Sequence, residues 1–116
     1  MEYTLEIQEK ILFVNITGDF LGENTDQLTE NVKEKMVAEK LQLCGIDLSG
    51  IRYMNSSGIG TLINILNIFK QNEGEAMLLT PPPGVKKNLE MMKLHTVFSI
   101  VDSKEEAINQ LRKIII

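Results

Sequence analysis

The sequence has few residues that could cross-link it or bind a metal, and no apolar run that could anchor it in a membrane. Its 116 residues include one cysteine, Cys44, and one histidine, His95. A disulfide within the chain and a clustered Cys/His metal site are therefore excluded. No segment approaches the ~20 apolar residues of a transmembrane helix, and residues 1–4 do not begin a secretion signal. We expect a protein of the reducing cytoplasm with no metal, cofactor or membrane contact.

Basic residues are also scarce. Lys and Arg number 12 against 16 Asp and Glu, which gives a formal net charge of −4 and a sequence pI near 5.0. Such a chain has no basic stripe for a phosphate backbone, so nucleic acid is not an expected partner. Paired catalytic carboxylates, a phosphate-binding glycine loop with its lysine and a nucleophile–base pair are likewise missing from the sequence. We expect a binding protein rather than an enzyme.

The remaining composition is that of a folded domain. Apolar residues make up 43% of the chain and charged residues 24%. The length suits one domain with a single core, and we expect that domain to occupy residues 1–116.

The first residues predict a β-hairpin. Apolar and polar residues alternate over 3–8, and a polar turn at 9–10 leads into the apolar run 11–16. Gly18-Asp19 is expected to end that second strand.

A helix and a buried strand are predicted next. Asn24 and Gln27 resemble a capping box, and apolar residues recur every four positions, which predicts a helix over about residues 25–39. The short apolar run 41–48 is typical of a buried strand. We expect a loop over residues 49–55.

The second half continues the alternation. Apolar spacing predicts a long helix that ends near Gly74, followed by a short strand at 77–79 and a helix that Pro83 opens. Three apolar residues are expected to share the buried face of that helix: Val85, Leu89 and Met92. A last strand over 97–101 precedes a final helix, which the capping box of Ser103 and Glu106 begins. The order β-β-α-β-α-β-α-β-α predicts an α/β fold with a mixed sheet of about five strands and about four helices.

Two serines lie where the third strand meets the long helix. Ser56 and Ser57 stand between Asn55 and the glycines Gly58 and Gly60. In one interpretation the serines cap the helix and the glycines allow close loop packing. In the other, a hydroxyl at the helix N-terminus is a phosphorylation site, because the unpaired N–H groups and the helix dipole there favour a phosphate. The glycines would then allow a partner or a kinase to approach.

The segment around these serines resembles a family signature. Residues 47–60 read DLSGIRYMNSSGIG, which is similar to the D-L-S-x-V-x-[FY]-M-D-S-[ST]-G-[LI]-G pattern of the STAS-domain anti-sigma factor antagonists. Residues 17–19, 85–94 and 102–107 resemble further family segments, so the resemblance spans about residues 11–111.

The resemblance implies a partner-switching protein. Such a protein binds an anti-sigma factor with serine kinase activity and frees a sigma factor, and a serine phosphatase can reverse the modification. The family's kinase target falls on Ser56. The implied partner-binding residues are Asp19, Leu21, Glu23, Asn24, Asn55, Ser56, Ser57, Gly58 and Thr61.

Three positions depart from the family pattern. Asn55 replaces the usual Asp beside the target serine, Leu21 replaces a second acidic residue, and Lys93 replaces a turn glycine. The loss of the two carboxylates has two interpretations. Either a phosphoserine at this site meets less repulsion, or the kinase loses a feature by which it recognises the site. The second interpretation describes a constitutive interaction module, such as a scaffold or transporter-associated subunit, in which Ser56 is not modified.

Four other residues have alternative interpretations. Ile65 and Ile68 lie off the main apolar stripe of the long helix and either support a weak homodimer or pack under neighbouring helices. His95 and Cys44 are interpreted as structural residues, Cys44 as a small buried hydrophobe.

Overall fold

Five strands form one mixed sheet in the computed structural model, which describes residues 1–23 and 25–113. The elements are β1 (Glu2–Gln8), β2 (Ile11–Phe20), α1 (Asp26–Ala38), β3 (Leu43–Met54), α2 (Ser56–Gln71), β4 (Glu75–Leu79), α3 (Pro83–Met91), a short 3-10 turn (Leu94–Thr96), β5 (Ser99–Val101) and α4 (Lys104–Arg112). The predicted order and fold class are confirmed.

The sheet follows the order of the chain. Its strand order is β1-β2-β3-β4-β5, with β1 antiparallel to β2 and every other pair parallel. Glu9 and Lys10 make the hairpin turn, and both have positive φ, 53° and 63°, as a two-residue turn of this twist requires. Helices connect the parallel strands, since parallel neighbours need a long crossover.

β2 and β3 continue beyond the ends that the sequence predicted. β2 continues through Gly18-Asp19 to Phe20, and β3 continues to Met54, so the expected loop over 49–55 is wrong. Residues 50–54 pair with residues 17–20 of β2, with register shifts on the way. The apolar run that predicted β3 stops early because β4 pairs only with residues 43–47, the buried half of the strand. The far half of β3 therefore has a single neighbour strand, and several of its side chains are exposed.

Helices cover both faces of the sheet. The larger core packs α1, α2 and α3 against one face, and the smaller core packs α4 against the other. Alternate residues of β2 divide between them: Leu12 and Val14 join the larger core, whereas Ile11 and Phe13 join the smaller one, as the two-residue period of a strand requires.

The two residues of α2 with alternative interpretations, Ile65 and Ile68, pack within the domain. Ile65 is fully buried, and Ile68 is half-buried against the larger core. The interpretation in which both pack under neighbouring elements is confirmed.

The region after β4 is confirmed in part. Pro83 opens α3, and Val85 and Leu89 are buried, but Met92 lies one residue beyond the end of the helix and is 50% exposed. β5 contains only Ser99–Val101, and Val97 is exposed. Lys93 has φ 60° and ψ 26°, in the left-handed region that glycine adopts without a steric cost.

Candidate functional site

Asn55 caps the long helix. It lies in an extended conformation, and its side-chain oxygen accepts a hydrogen bond of 2.9 Å from the backbone N–H of Gly58. Ser56 and Ser57 are the first two helical residues and are exposed. The interpretation of the serines as caps is therefore wrong, because the residue before them accepts the first-turn hydrogen bond.

Gly58 is required by the fold itself. A Cβ at this position would collide with the backbone oxygen of Phe20 and stand 3.0 Å from the Met54 side chain. The Phe20 oxygen also accepts a hydrogen bond of 3.3 Å from the Asn55 N–H. Close packing between the end of β2 and the start of α2 therefore explains Gly58. Gly60 differs, since a Cβ there would meet no atom within 4 Å.

The loop after β2 packs against the second serine. Gly22 has φ 80°, and a Cβ added to it would collide with the side chain of Ser57. The backbone of this loop thus lies directly against the first turn of α2, beside Ser56.

Two buried hydroxyls join that loop to the helix. Thr25 donates a hydrogen bond of 2.9 Å to the Gly22 oxygen. Thr61 lies with its hydroxyl 3.1 Å from the Thr25 hydroxyl and 3.3 Å from the Ser57 oxygen. Thr25 and Thr61 are the buried polar residues among those that the structure describes, with 6% and 5% of their surface exposed. Thr61 is therefore a support of the site rather than a surface contact.

Asp19 is held by an arginine. Arg52 on β3 donates two hydrogen bonds of 2.9 Å to its carboxylate. The hydrogen bonds from Arg52 lower the pKa of Asp19 below its usual value. Both side chains remain exposed to solvent, so the pair is accessible to a partner.

The other implied contacts lie along the same edge. Leu21 is half-buried and Glu23 is exposed, both between the end of β2 and the start of α1. Asn24, the first residue of the predicted capping box, lies outside the described residues. Thr25 occupies the N-cap position of α1 without a side-chain cap hydrogen bond.

Neither Cys44 nor His95 belongs to this site. Cys44 is fully buried, and burial raises the pKa of its thiol well above the usual range, in agreement with its interpretation as a small core residue. His95 is exposed in the 3-10 turn and is not a core residue. Within residues 1–23 and 25–113, no three His, Cys, Asp or Glu side chains are grouped so that they could hold a metal ion. None of the described helices is long and apolar enough to cross a bilayer.

Comparison with known proteins identifies the family. The family model described as STAS domain matches residues 2–107. The chain belongs to the STAS domain family.

Several proteins resemble this STAS domain over nearly their whole length. An anti-sigma F factor antagonist of Paenibacillus polymyxa is 22% identical over 111 residues, which cover 96% of this chain and 95% of the relative. A crystal structure of a candidate anti-sigma factor antagonist from Thermotoga maritima has a TM-score of 0.86 and 20% identity, covering 95% of this chain and 94% of that one. The phosphorylated form of SpoIIAA from Bacillus has a TM-score of 0.73 and 18% identity, covering 94% and 98%.

Sequence reasoning missed three residues of the STAS site. Gly22 and Thr25 are absent from the implied contact residues, although a glycine and a threonine beside a helix start are signals of loop geometry and capping. Arg52 was overlooked because residues 49–55 were interpreted as a loop, whereas in a strand beside β2 its side chain reaches Asp19.

Proposed function

We propose that this STAS domain is an anti-sigma factor antagonist that acts by partner switching. In its unmodified form it binds an anti-sigma factor with serine kinase activity and frees a sigma factor. Phosphorylation of Ser56 releases the anti-sigma factor, and a serine phosphatase resets the protein. The domain acts here as a phosphate acceptor and a binding partner, and we assign all of residues 1–116 to it.

The observation that carries this proposal is the position of Ser56. Its side chain is exposed at the first position of α2, directly after the Asn55 cap, within the segment that resembles the family signature. A kinase can therefore reach the hydroxyl without local unfolding. The named relative from Paenibacillus polymyxa and the phosphorylated form of SpoIIAA add support.

The charge around Ser56 is compatible with a phosphate. The first turn of α2 contains no acidic side chain, and the N-terminal end of a helix favours negative charge. Asn55 accepts the capping hydrogen bond through a neutral amide. Phosphoserine would therefore be tolerated by the domain itself, and its about −1.5 to −2 charges would act on the partner through repulsion and desolvation.

The proposed contact surface combines the start of α2 with the loop after β2. Asn55, Ser56 and Ser57 lie on one side, and Leu21 and Glu23 lie on the other. Asp19 extends this surface along β2. Gly58 and Thr61 contribute by holding the two sides together, because each packs at the junction between them.

Intact-mass analysis tests the modification. The protein, Ser56→Ala and Ser57→Ala are incubated with ATP and each candidate serine kinase encoded in the same genome. We expect one added phosphate on the wild type and on Ser57→Ala, and none on Ser56→Ala. Calorimetry then compares the affinity of the anti-sigma factor for unmodified and phosphorylated protein. A complex that persists after full phosphorylation of Ser56 would contradict the switch.

A constitutive STAS interaction module is the second candidate. It is favoured by Asn55, which retains the structural role of a cap while removing a carboxylate that a kinase could recognise. In this case no kinase modifies the wild type, and Asn55→Asp restores modification of Ser56.

A further inference from the structure

A groove lies next to the Ser56 surface, between the end of β3 and α3. Its volume is about 490 Å³, and its walls include Arg52 and Tyr53 from β3 and Lys87 and Met91 from α3. Arg52 of the groove donates two hydrogen bonds to Asp19 of the proposed contact surface, so the groove adjoins that surface. None of the residues that line this groove is part of the sequence-based site.

One complete face of α3 borders the groove. Gly84, Lys87, Asn88 and Met91 all line it, and their spacing of three and four residues places them on one side of the helix. Val85 and Leu89 are buried on the side that enters the core, and Val85 also borders the groove. The helix is therefore buried along one stripe and open along another.

Two large side chains with apolar surface are exposed at the groove. Tyr53 is 56% exposed and Met91 71% exposed. The six aromatic residues all lie within the described ranges. The four phenylalanines are buried and Tyr3 is half-buried, whereas Tyr53 is exposed. Exposed aromatic and methionine side chains that border a concave surface are typical of protein contacts.

The charge of the groove is opposite to that of the chain. The protein has a formal net charge of −4, yet Arg52 and Lys87 are the charged residues that line the groove, with no carboxylate among them. Arg52 uses one edge of its guanidinium on Asp19 and has further N–H groups that can donate. Within residues 1–23 and 25–113, Lys87 takes part in no ion pair.

We propose that this groove docks an acidic segment of the anti-sigma partner. An apolar side chain of that segment packs between Tyr53 and Met91, and its carboxylates face Arg52 and Lys87. This inference rests on the proposed function and adds to it a second contact that is chemically distinct from the Ser56 surface. The groove contact adds affinity and fixes the orientation of the bound partner, while phosphorylation of Ser56 controls its release.

Neighbouring residues of the same region provide matched controls. Lys86 is exposed next to Lys87, and Met92 is exposed next to Met91, but neither lines the groove. Calorimetry with the anti-sigma factor compares Lys87→Glu with Lys86→Glu, and Met91→Ser with Met92→Ser. Thermal unfolding of each variant confirms that it is folded, and Lys87→Gln provides a milder change at the same position.

We expect Lys87→Glu to weaken binding about tenfold at low ionic strength and Lys87→Gln by less, because a contact at the rim depends on charge and salt. The deficit of Lys87→Glu should shrink at high salt. Met91→Ser should weaken binding several-fold at every salt concentration. Lys86→Glu and Met92→Ser should bind within about twofold of wild type.

Three results would overturn the proposal. If wild type binds and is released by phosphorylation but the groove variants bind equally well, the groove contact is wrong and the switch stands. If Lys86→Glu loses as much affinity as Lys87→Glu, overall charge rather than the groove is responsible. If the wild type does not bind any anti-sigma factor of its genome, the groove contact falls with the proposed function.

Discussion

Gly22, in the loop after β2, packs directly against Ser57 in the first turn of α2. Gly22 suits this position twice over: its φ of 80° lies in the region that favours glycine, and a Cβ on it would collide with Ser57. Two segments far apart in the sequence therefore form one continuous surface beside Ser56.

Gly22→Ala should destabilise the protein. An alanine would be strained at this φ and would collide with Ser57, so we expect a loss of about 2–4 kcal/mol in the free energy of unfolding. Urea unfolding measures it. Gly60→Ala in α2 is the control, since its Cβ would meet no atom within 4 Å, and it should be neutral or up to about 1 kcal/mol more stable. Equal stability of Gly22→Ala and wild type would contradict the observed packing.

Asn55→Ala should lower the melting temperature. It removes the oxygen that accepts the Gly58 N–H hydrogen bond, at a cost of about 1 kcal/mol or about 4 °C. Asn55→Asp keeps an acceptor at the same place and should melt close to wild type. Calorimetric melting of the three proteins distinguishes the loss of the cap from the change of charge, and a large loss in Asn55→Asp would show that the neutral amide itself is needed.

Lys93→Gly should stabilise the turn after α3. Lys93 occupies the left-handed region, where glycine escapes a steric cost, and the greater entropy of the unfolded glycine offsets part of the gain. We expect about 0.5–1 kcal/mol of added stability in urea unfolding. Lys86→Gly, within α3, should change stability by about 1 kcal/mol in the opposite direction. A destabilised Lys93→Gly would mean that the lysine side chain has its own stabilising role.

The pair of Asp19 and Arg52 predicts a pH dependence. Because the hydrogen bonds from Arg52 hold the pKa of Asp19 below its usual value in the folded protein, its contribution to stability is present above the usual value. This contribution is lost as the pH falls through the lower, folded value. Arg52→Gln should therefore be slightly less stable than wild type at neutral pH, and the two should converge in acid. The difference at neutral pH should be small, since both side chains are solvent-exposed. Unfolding titrations along a pH series test this, and a constant difference down to strong acid would exclude Asp19 as its source.

The sequence was most informative where a single physical rule governs a segment. Hydrophobic spacing predicted the helices and the buried strands, because burial of one face acts locally along the chain. Hydrophobic spacing failed at residues 49–55, which were predicted to form a loop. Residues 50–54 instead pair with β2 through the backbone, without the run of buried side chains that marks a strand in the sequence. Hydrophobic spacing also failed at Met92, which keeps the spacing of Val85 and Leu89 but lies beyond the helix end.

The same division holds for the site. Local sequence patterns were enough to predict the order of the elements, to identify the family signature over residues 47–60 and to place Ser56 at a helix start. Three features are visible in the folded protein alone: Asn55 is the cap, Gly22 lies on Ser57, and Tyr53 shares a groove with Met91. Local patterns encode which backbone conformation a segment prefers. Contacts between segments distant in the chain depend on how the packed elements are finally oriented, which no local pattern contains.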